Sequence, residues 1–256
     1  MWPRLLLLTT FLLLPFLSYA GGNSAGNRDV CFSLIASLDI KGEQNRKRVC
    51  KSEIAPLLKM AIAPINANDK MTLGNKEITN CEQYLTEIPY GGFWGSRSEI
   101  VTEAPFMRTC GVLVSLWGAQ QGKNYFRSLK QALSPQHLPP SLIVYAATDD
   151  QADELTALEN EGKTAQDVIQ NRDVIQNRNG MSYGDFSIQV IAVADVDKDG
   201  LNDYIISRAY STGTNSFYSV GYISPTKNRK ASRWIQFDAE NMPNPAFKRD
   251  ALKRAP

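Results

Sequence analysis

Hydrophobic residues change their period along this chain. From residue 183 onward they alternate with polar residues at a step of two, and residues 186–193, 204–210, 216–224 and 232–237 predict four strands. The connections are an acidic loop, the Ser211-Thr-Gly-Thr-Asn215 turn and residues 225–230 beginning with Pro225, so the strands form an antiparallel meander. Upstream the step is three to four. Val30, Cys31, Leu34, Ile35 and Leu38 follow Asp29 at helical spacing, with Asp29 as N-cap and Gly42 as stop. A second helical segment covers residues 54–65, interrupted at Pro56 and Pro64, and Ile78, Cys81, Leu85 and Ile88 trace a third. Residues 109–117 and 125–133 predict two more, separated by Gly118 and Gly122.

Between these regions, Leu142-Ile-Val-Tyr-Ala146 reads as a lone buried strand, with the start of a helix as the other reading. Residues 149–178 are polar and include Asp167-Val-Ile-Gln-Asn-Arg172, repeated at once as Asp173-Val-Ile-Gln-Asn-Arg178. Six residues turn a helix by about 600°, so successive Val-Ile pairs fall about 120° apart and give no continuous apolar face. The repeat is read as a short duplication extending a surface helix or loop. The fold class expected is α+β, a helical N-terminal part stapled by disulfides, then a C-terminal four-stranded meander. The divisions are a signal at 1–20, a flexible leader at 21–28, a helical region at 29–140, a strand with a polar connection at 141–182, the meander at 183–240 and a loose tail at 241–256.

The first twenty residues have Arg4, an apolar stretch over 5–17, then Ser18-Tyr19-Ala20. A charged start, a short apolar run and small residues at the end predict an export signal cleaved before Gly21. The run is broken by Pro15 and is shorter than the roughly 20 residues a membrane span requires. No later run approaches that length, so no stable span is expected after cleavage. The formal charge of +2, lowered by one when Arg4 is lost, gives no electrostatic basis for binding nucleic acid. Hydrophobic residues make up 43% of the chain, enough for one large domain or two small ones. The four cysteines, Cys31, Cys50, Cys81 and Cys110, suit two disulfides in an exported protein. Cys31–Cys50 with Cys81–Cys110 is favoured because each pair closes one loop between neighbouring segments, although spacing alone leaves three pairings open. Without Cys-x-x-Cys, redox catalysis and thiolate zinc lack their usual signature.

The richest chemistry lies in Asp195-Val-Asp197-Lys-Asp199-Gly200-Leu201-Asn-Asp203, whose formal charge is minus three. Side chains at loop positions 1, 3, 5 and 9, with the Leu201 carbonyl at position 7, offer hard oxygen donors suited to Ca²⁺. A simple hairpin turn accounts for Asp199-Gly200 and leaves the other acids unexplained. An EF-hand is excluded because loop position 12 is Ile206, within a strand, where that motif needs a bidentate Glu.

Asp-x-Asp-x-Asp-Gly-x-x-Asp followed by an apolar strand resembles the calcium loop of FG-GAP and VCBS-type repeats. The resemblance covers at most residues 185–238 and occurs in one copy. It implies Asp195, Asp197, Asp199 and Asp203 as side-chain ligands and Leu201 as main-chain ligand. Elsewhere the signals are weak. Glu82, Glu87, Glu99 and Glu103 are acids from which a carboxylate-based hydrolase could draw its pair. His137, the only histidine, lies in a proline-rich connection with no Gly-x-Ser-x-Gly elbow to serve. Tyr90-Gly-Gly-Phe93-Trp94-Gly95 is either a stacking surface for sugars or peptides or a turn whose aromatics plug the core. The expectation is an exported calcium-binding protein, noncatalytic, that recognises a glycan or protein ligand of the envelope or extracellular space. The alternative is an exported hydrolase with structural calcium.

Overall fold

The first half alternates short strands with helices. The computed structural model describes residues 29–66, 69–87, 93–144, 148–169, 174–213, 215–226 and 231–237. The expected signal, leader and tail lie outside these residues. Strand β1 (Cys31–Ser33) pairs with β2 (Arg48–Cys50), which runs into α1 (Lys51–Lys59). A hairpin of β3 (Met71–Leu73) and β4 (Lys76–Ile78) leads to α2 (Cys81–Glu87), and β5 (Phe93–Ser96) leads to the long α3 (Arg97–Gly118). Then come α4 (Leu129–Ala132), α5 (Pro140–Ile143), α6 (Asp149–Asn160) and α7 (Ala165–Val168). The rest is sheet: β6 (Val174–Gln176), β7 (Gly180–Tyr183), β8 (Phe186–Ala194), β9 (Asp203–Thr212), β10 (Asn215–Ser224) and β11 (Arg233–Gln236).

The fold is α+β with a seven-stranded antiparallel sheet. Strands β6 to β11 lie side by side in chain order, and β5 shares the β10 edge with β11. Strand β5 takes residues 215–218 of β10 and β11 takes residues 221–224. The meander is therefore longer than the four strands expected. Strands β6 and β7 were missed because each spans only three or four residues, too few to display alternation. Between β7 and β8, Tyr183 pairs directly with Phe186 across a tight turn in which Gly184 has φ 53°. The second copy of the hexapeptide repeat supplies edge strand β6, whereas the first begins within α7. Identical local sequence adopts both states, so tertiary position decides the outcome.

Two further expectations are corrected. Residues 30–38 are not a helix. Phe32, Leu34, Leu38 and Ile40 are buried at even positions, and β1 puts Cys31 opposite Cys50. Asp29 is not an N-cap: it lies beside the first turn of α1, whose N-cap is Cys50, where its Oδ1 accepts from the Ser52 backbone N–H at 3.3 Å and its Oδ2 from the Ser52 hydroxyl. Residues 140–143 form the helical turn α5 rather than a strand, because Pro140 at the first helical position presets its φ. Tyr145, Ala146 and Ala147 lie outside the described residues.

Helix α3 is the central post. It opens with a capping box in which Glu99 Oε2 accepts from the Ser96 N–H at 2.7 Å. Every residue from 109 to 116 is buried, as a helix enclosed on all sides requires. One core joins α1, α2 and α3 to Ile205, Val220 and Tyr222 on one sheet face. A second core packs Phe126, Leu133, Leu138, Leu142 and Ile143 against Ile188, Val190, Tyr204 and Ile206 on the other face. A bulge at Ile191 switches β8 between them: Val190 pairs with Ile206, but Ala192 pairs with Ile205. The Ile191 carbonyl accepts from the Ile35 N–H at 2.7 Å, docking the N-terminal segment on the bulge. On the second face the buried Arg208 guanidinium lies 5.2 Å from both the Phe217 and Trp234 ring centroids and donates to the Ser141 carbonyl, tying α5 to the sheet.

Both disulfides match the favoured pairing. Cys31–Cys50 joins β1 to β2, and Cys81–Cys110 joins α2 to α3 across 29 residues of sequence. Loop-closure entropy for that separation contributes about 3–4 kcal/mol. Replacing Cys81 and Cys110 together by alanine is expected to lower unfolding free energy in urea by this amount, and a loss below about 1 kcal/mol would count against the stapling role.

Candidate metal centre

The acidic loop joins β8 to β9 where both strands leave the α3-facing core. Ala194 and Asp203 are cross-strand partners, so the loop from 195 to 202 is closed at its base by the last rung of the ladder. Within it the backbone turns twice into the left-handed region, at Lys198 (φ 67°) and Gly200 (φ 88°). These turns point several amides inward. The Gly200 N–H donates to Asp195 Oδ2 at 3.1 Å, and the Val196 N–H donates to Asp203 Oδ2 at 2.7 Å. The Asp199 N–H donates to Asp197 Oδ1 at 3.2 Å, and the Leu201 N–H to Asp199 Oδ1 at 2.7 Å.

Three of the four aspartates meet. Asp195, Asp197 and Asp203 each present a carboxylate oxygen within 4.8 Å of the others. Asp195 and Asp203 are fully buried, whereas Asp197 reaches the cluster from the exposed side. Asp199 stands outside this trio with its Oδ1 engaged by the Leu201 amide. Leu201 is buried, its carbonyl carbon and oxygen close against Gly122.

The decisive feature is what two of these oxygens lack. Asp195 Oδ1 and Asp203 Oδ1 are buried without any hydrogen-bond partner, while the second oxygen of each carboxylate is bonded. An unsatisfied buried carboxylate oxygen is destabilising by several kcal/mol unless a cation or proton meets it. Burial, then the neighbouring Asp197 charge, pushes the Asp203 carboxyl up to about 7, against the pull of the Val196 N–H and the Ser224 hydroxyl. The donors are hard, anionic, clustered and free on their inner side, an arrangement that could hold a metal ion. A second acidic grouping, Asp29 with Cys31 and Cys50, has its sulfurs committed to a disulfide.

The rest of the site comes from far away in the sequence. After α3 the chain runs alongside the loop, and Gln120 and Asp195 exchange both backbone hydrogen bonds at 2.9 Å. Gln120 Nε2 also donates to Asp195 Oδ2 at 3.0 Å. Lys123 donates its N–H to the Gly200 carbonyl and accepts from the Asn202 N–H, both at 2.9 Å. Ser224, at the end of β10, donates its hydroxyl to Asp197 Oδ2 at 2.9 Å. No sequence signal marked Gln120, Lys123 or Ser224, because their roles arise only when remote strands pair. Gly122 had served only as a helix separator.

The acids considered for hydrolysis have other occupations. Glu87 pairs with Lys76, and Glu99 caps α3. Glu82 is exposed, and buried Glu103 accepts from the Tyr84 hydroxyl at 2.7 Å. His137 packs its ring 5.1 Å from that of Phe126. Phe93 and Trp94 belong to β5, paired with Tyr218 and Phe217, while residues 90–92 of that motif lie outside the described residues. Comparison with known protein families, with curated proteins and with solved structures finds no match to this chain.

Burial raises the Glu103 carboxyl above its usual range, so the folded state holds this proton more tightly than the unfolded state does. Its contribution to stability is present at low pH and lost as pH rises above the ordinary glutamate value. Glu103→Gln keeps an acceptor for Tyr84 and is expected to make the urea midpoint fall less steeply with rising pH. An unchanged slope would contradict a proton-retaining Glu103.

Proposed function

We propose that this protein is an exported calcium-binding module with no catalytic activity of its own, in which one ion fixes the β8–β9 loop and the ordered surface recognises a glycan or protein ligand of the cell envelope or extracellular space. The observation that carries the metal reading is the pair of buried, partnerless oxygens, Asp195 Oδ1 and Asp203 Oδ1, beside Asp197. Those three carboxylates would hold the ion. The resemblance to FG-GAP and VCBS-type loops adds Asp199 and the Leu201 carbonyl to the donor set. Calcium is preferred to magnesium because it accepts six to eight oxygens in irregular geometry, whereas magnesium demands a tight octahedron and keeps its waters. The ion's chemistry here is electrostatic: it neutralises the cluster and holds the two strand ends together.

Export is supported by the N-terminal pattern and by two disulfides, which persist in oxidising compartments. Among the described residues no helix is long and apolar enough to cross a membrane. The noncatalytic reading is supported by the contacts of Glu87, Glu99 and Glu103, which leave these acids holding structure.

Thermal unfolding of chelator-stripped protein tests the metal. At a free calcium concentration one hundred times Kd, binding to the folded state alone adds about 2.7 kcal/mol, and the melting temperature rises accordingly. The paired substitution Asp195→Asn with Asp203→Asn removes the two anionic oxygens and should abolish the rise. A parent protein whose melting temperature ignores calcium, or a double variant that still responds, would defeat the reading.

A further inference from the structure

The loop and the segment at residues 120–124 touch more closely than side chains permit. A Cβ on Gly122 would stand 2.6 Å from the Leu201 carbonyl carbon and 2.8 Å from both the Leu201 oxygen and the Asn202 nitrogen, all of them backbone atoms. Only glycine lets the two backbones meet here. The contact is then sewn along its length. Beyond the Gln120–Asp195 exchange and the Lys123 bonds to Gly200 and Asn202, the Gly122 N–H donates to Asn202 Oδ1 at 3.0 Å and Asn202 Nδ2 donates to Asn124 Oδ1 at 2.8 Å. Gln121 faces the other way and donates its amide to the Cys31 carbonyl at 3.0 Å, reaching the strand held by the first disulfide.

We infer that the 120–124 segment is a working part of the calcium site, with Gln120 and Gly122 as positioning residues that set its affinity and with the ion acting as a latch between the helical half and the sheet. Gln120 Nε2 occupies one oxygen of Asp195, which leaves Oδ1 as the oxygen free for the ion. Gly122 seats the backbone at Leu201 and Asn202, immediately before the ligand Asp203. Charge repulsion among the three carboxylates pushes this loop outward when the ion is absent, and the segment paired with it is released. Lys123, whose side chain is exposed and whose backbone is bonded to Gly200 and Asn202, then becomes accessible within an unpaired segment. This inference rests on the calcium reading above and assigns that site a readout elsewhere in the fold.

The test is calcium titration calorimetry and thermal unfolding of the parent, Gln120→Ala and Gly122→Ala, with trypsin digestion in calcium and in chelator. The side-chain amide that orients a metal-binding carboxylate is worth 10- to 100-fold in affinity, so Gln120→Ala is expected to weaken calcium binding about tenfold or more. Its melting temperature should fall further in calcium than in chelator, whereas a purely structural role lowers both equally. Cleavage after Lys123 should slow in calcium for the parent and not for Gly122→Ala. If Gly122→Ala does not fold, Gln120→Ala and the parent digestion decide. Parent protein that binds calcium while Gln120→Ala binds within twofold and cleavage ignores the ion would overturn the latch alone. Parent protein that shows neither binding heat nor a thermal response would overturn the calcium reading and the latch with it.

Discussion

Two carboxylates buried side by side, each with one oxygen bonded and one oxygen bare, are the constraint around which the C-terminal half is arranged. Carboxylates are kept inside proteins only when paired, protonated or metal-bound. Among the described residues no ion pair gives Asp195 or Asp203 a cationic partner. Their bonded oxygens take backbone amides and the Gln120 amide, and the Ser224 hydroxyl draws on Asp203 as well; these contacts soften the charge without cancelling it. On the reading proposed above, the loop is one half of an electrostatic pair whose other half is the ion.

The remainder of the fold explains how such a loop is kept in place. The bulge at Ile191 turns the end of β8 toward the α3 side, so that Ala194 lies opposite Asp203 in the same layer as Ile205 and Tyr222. Tyr222 and Ser224 are two apart on β10 and sit near the cluster: Ser224 bonds Asp197, and the Tyr222 phenol is held up by burial first and then by the charges of Asp197 and Asp203. Helix α3, buried on every side from residue 109 to 116, delivers Gln120 to the loop within two residues of its end. The disulfide from Cys110 fixes α3 against α2, so the rigid post that carries this segment is itself covalently anchored. Helix α3 and the last rung of the β8–β9 ladder frame the loop on either side, which is the preorganisation a binding site requires.

What could be read in the sequence follows from the length of each element. Strands β8, β9 and β10 span nine or ten residues and show their alternation plainly, and the acidic loop between two of them stood out by its charge. Strands β1, β6 and β7 run three or four residues, less than two cycles of alternation, and were lost. The N-terminal stretch is instructive, since a spacing of four is twice the strand step and also close to one helical turn: Leu34 and Leu38 suited a helix, while buried Phe32 and Ile40 complete a step of two. In the site, Asp195, Asp197 and Asp203 were legible because they share nine residues. Gln120, Gly122 and Ser224 were not, because pairing across 75 residues, as between Gln120 and Asp195, leaves no local trace.

A crystal structure grown with calcium after complete chelation measures the central claim most directly. The account predicts anomalous density for one ion with Asp195 Oδ1 and Asp203 Oδ1 both about 2.3–2.6 Å from it. Density absent at saturating calcium, with those two oxygens still buried and without an ion, would contradict it.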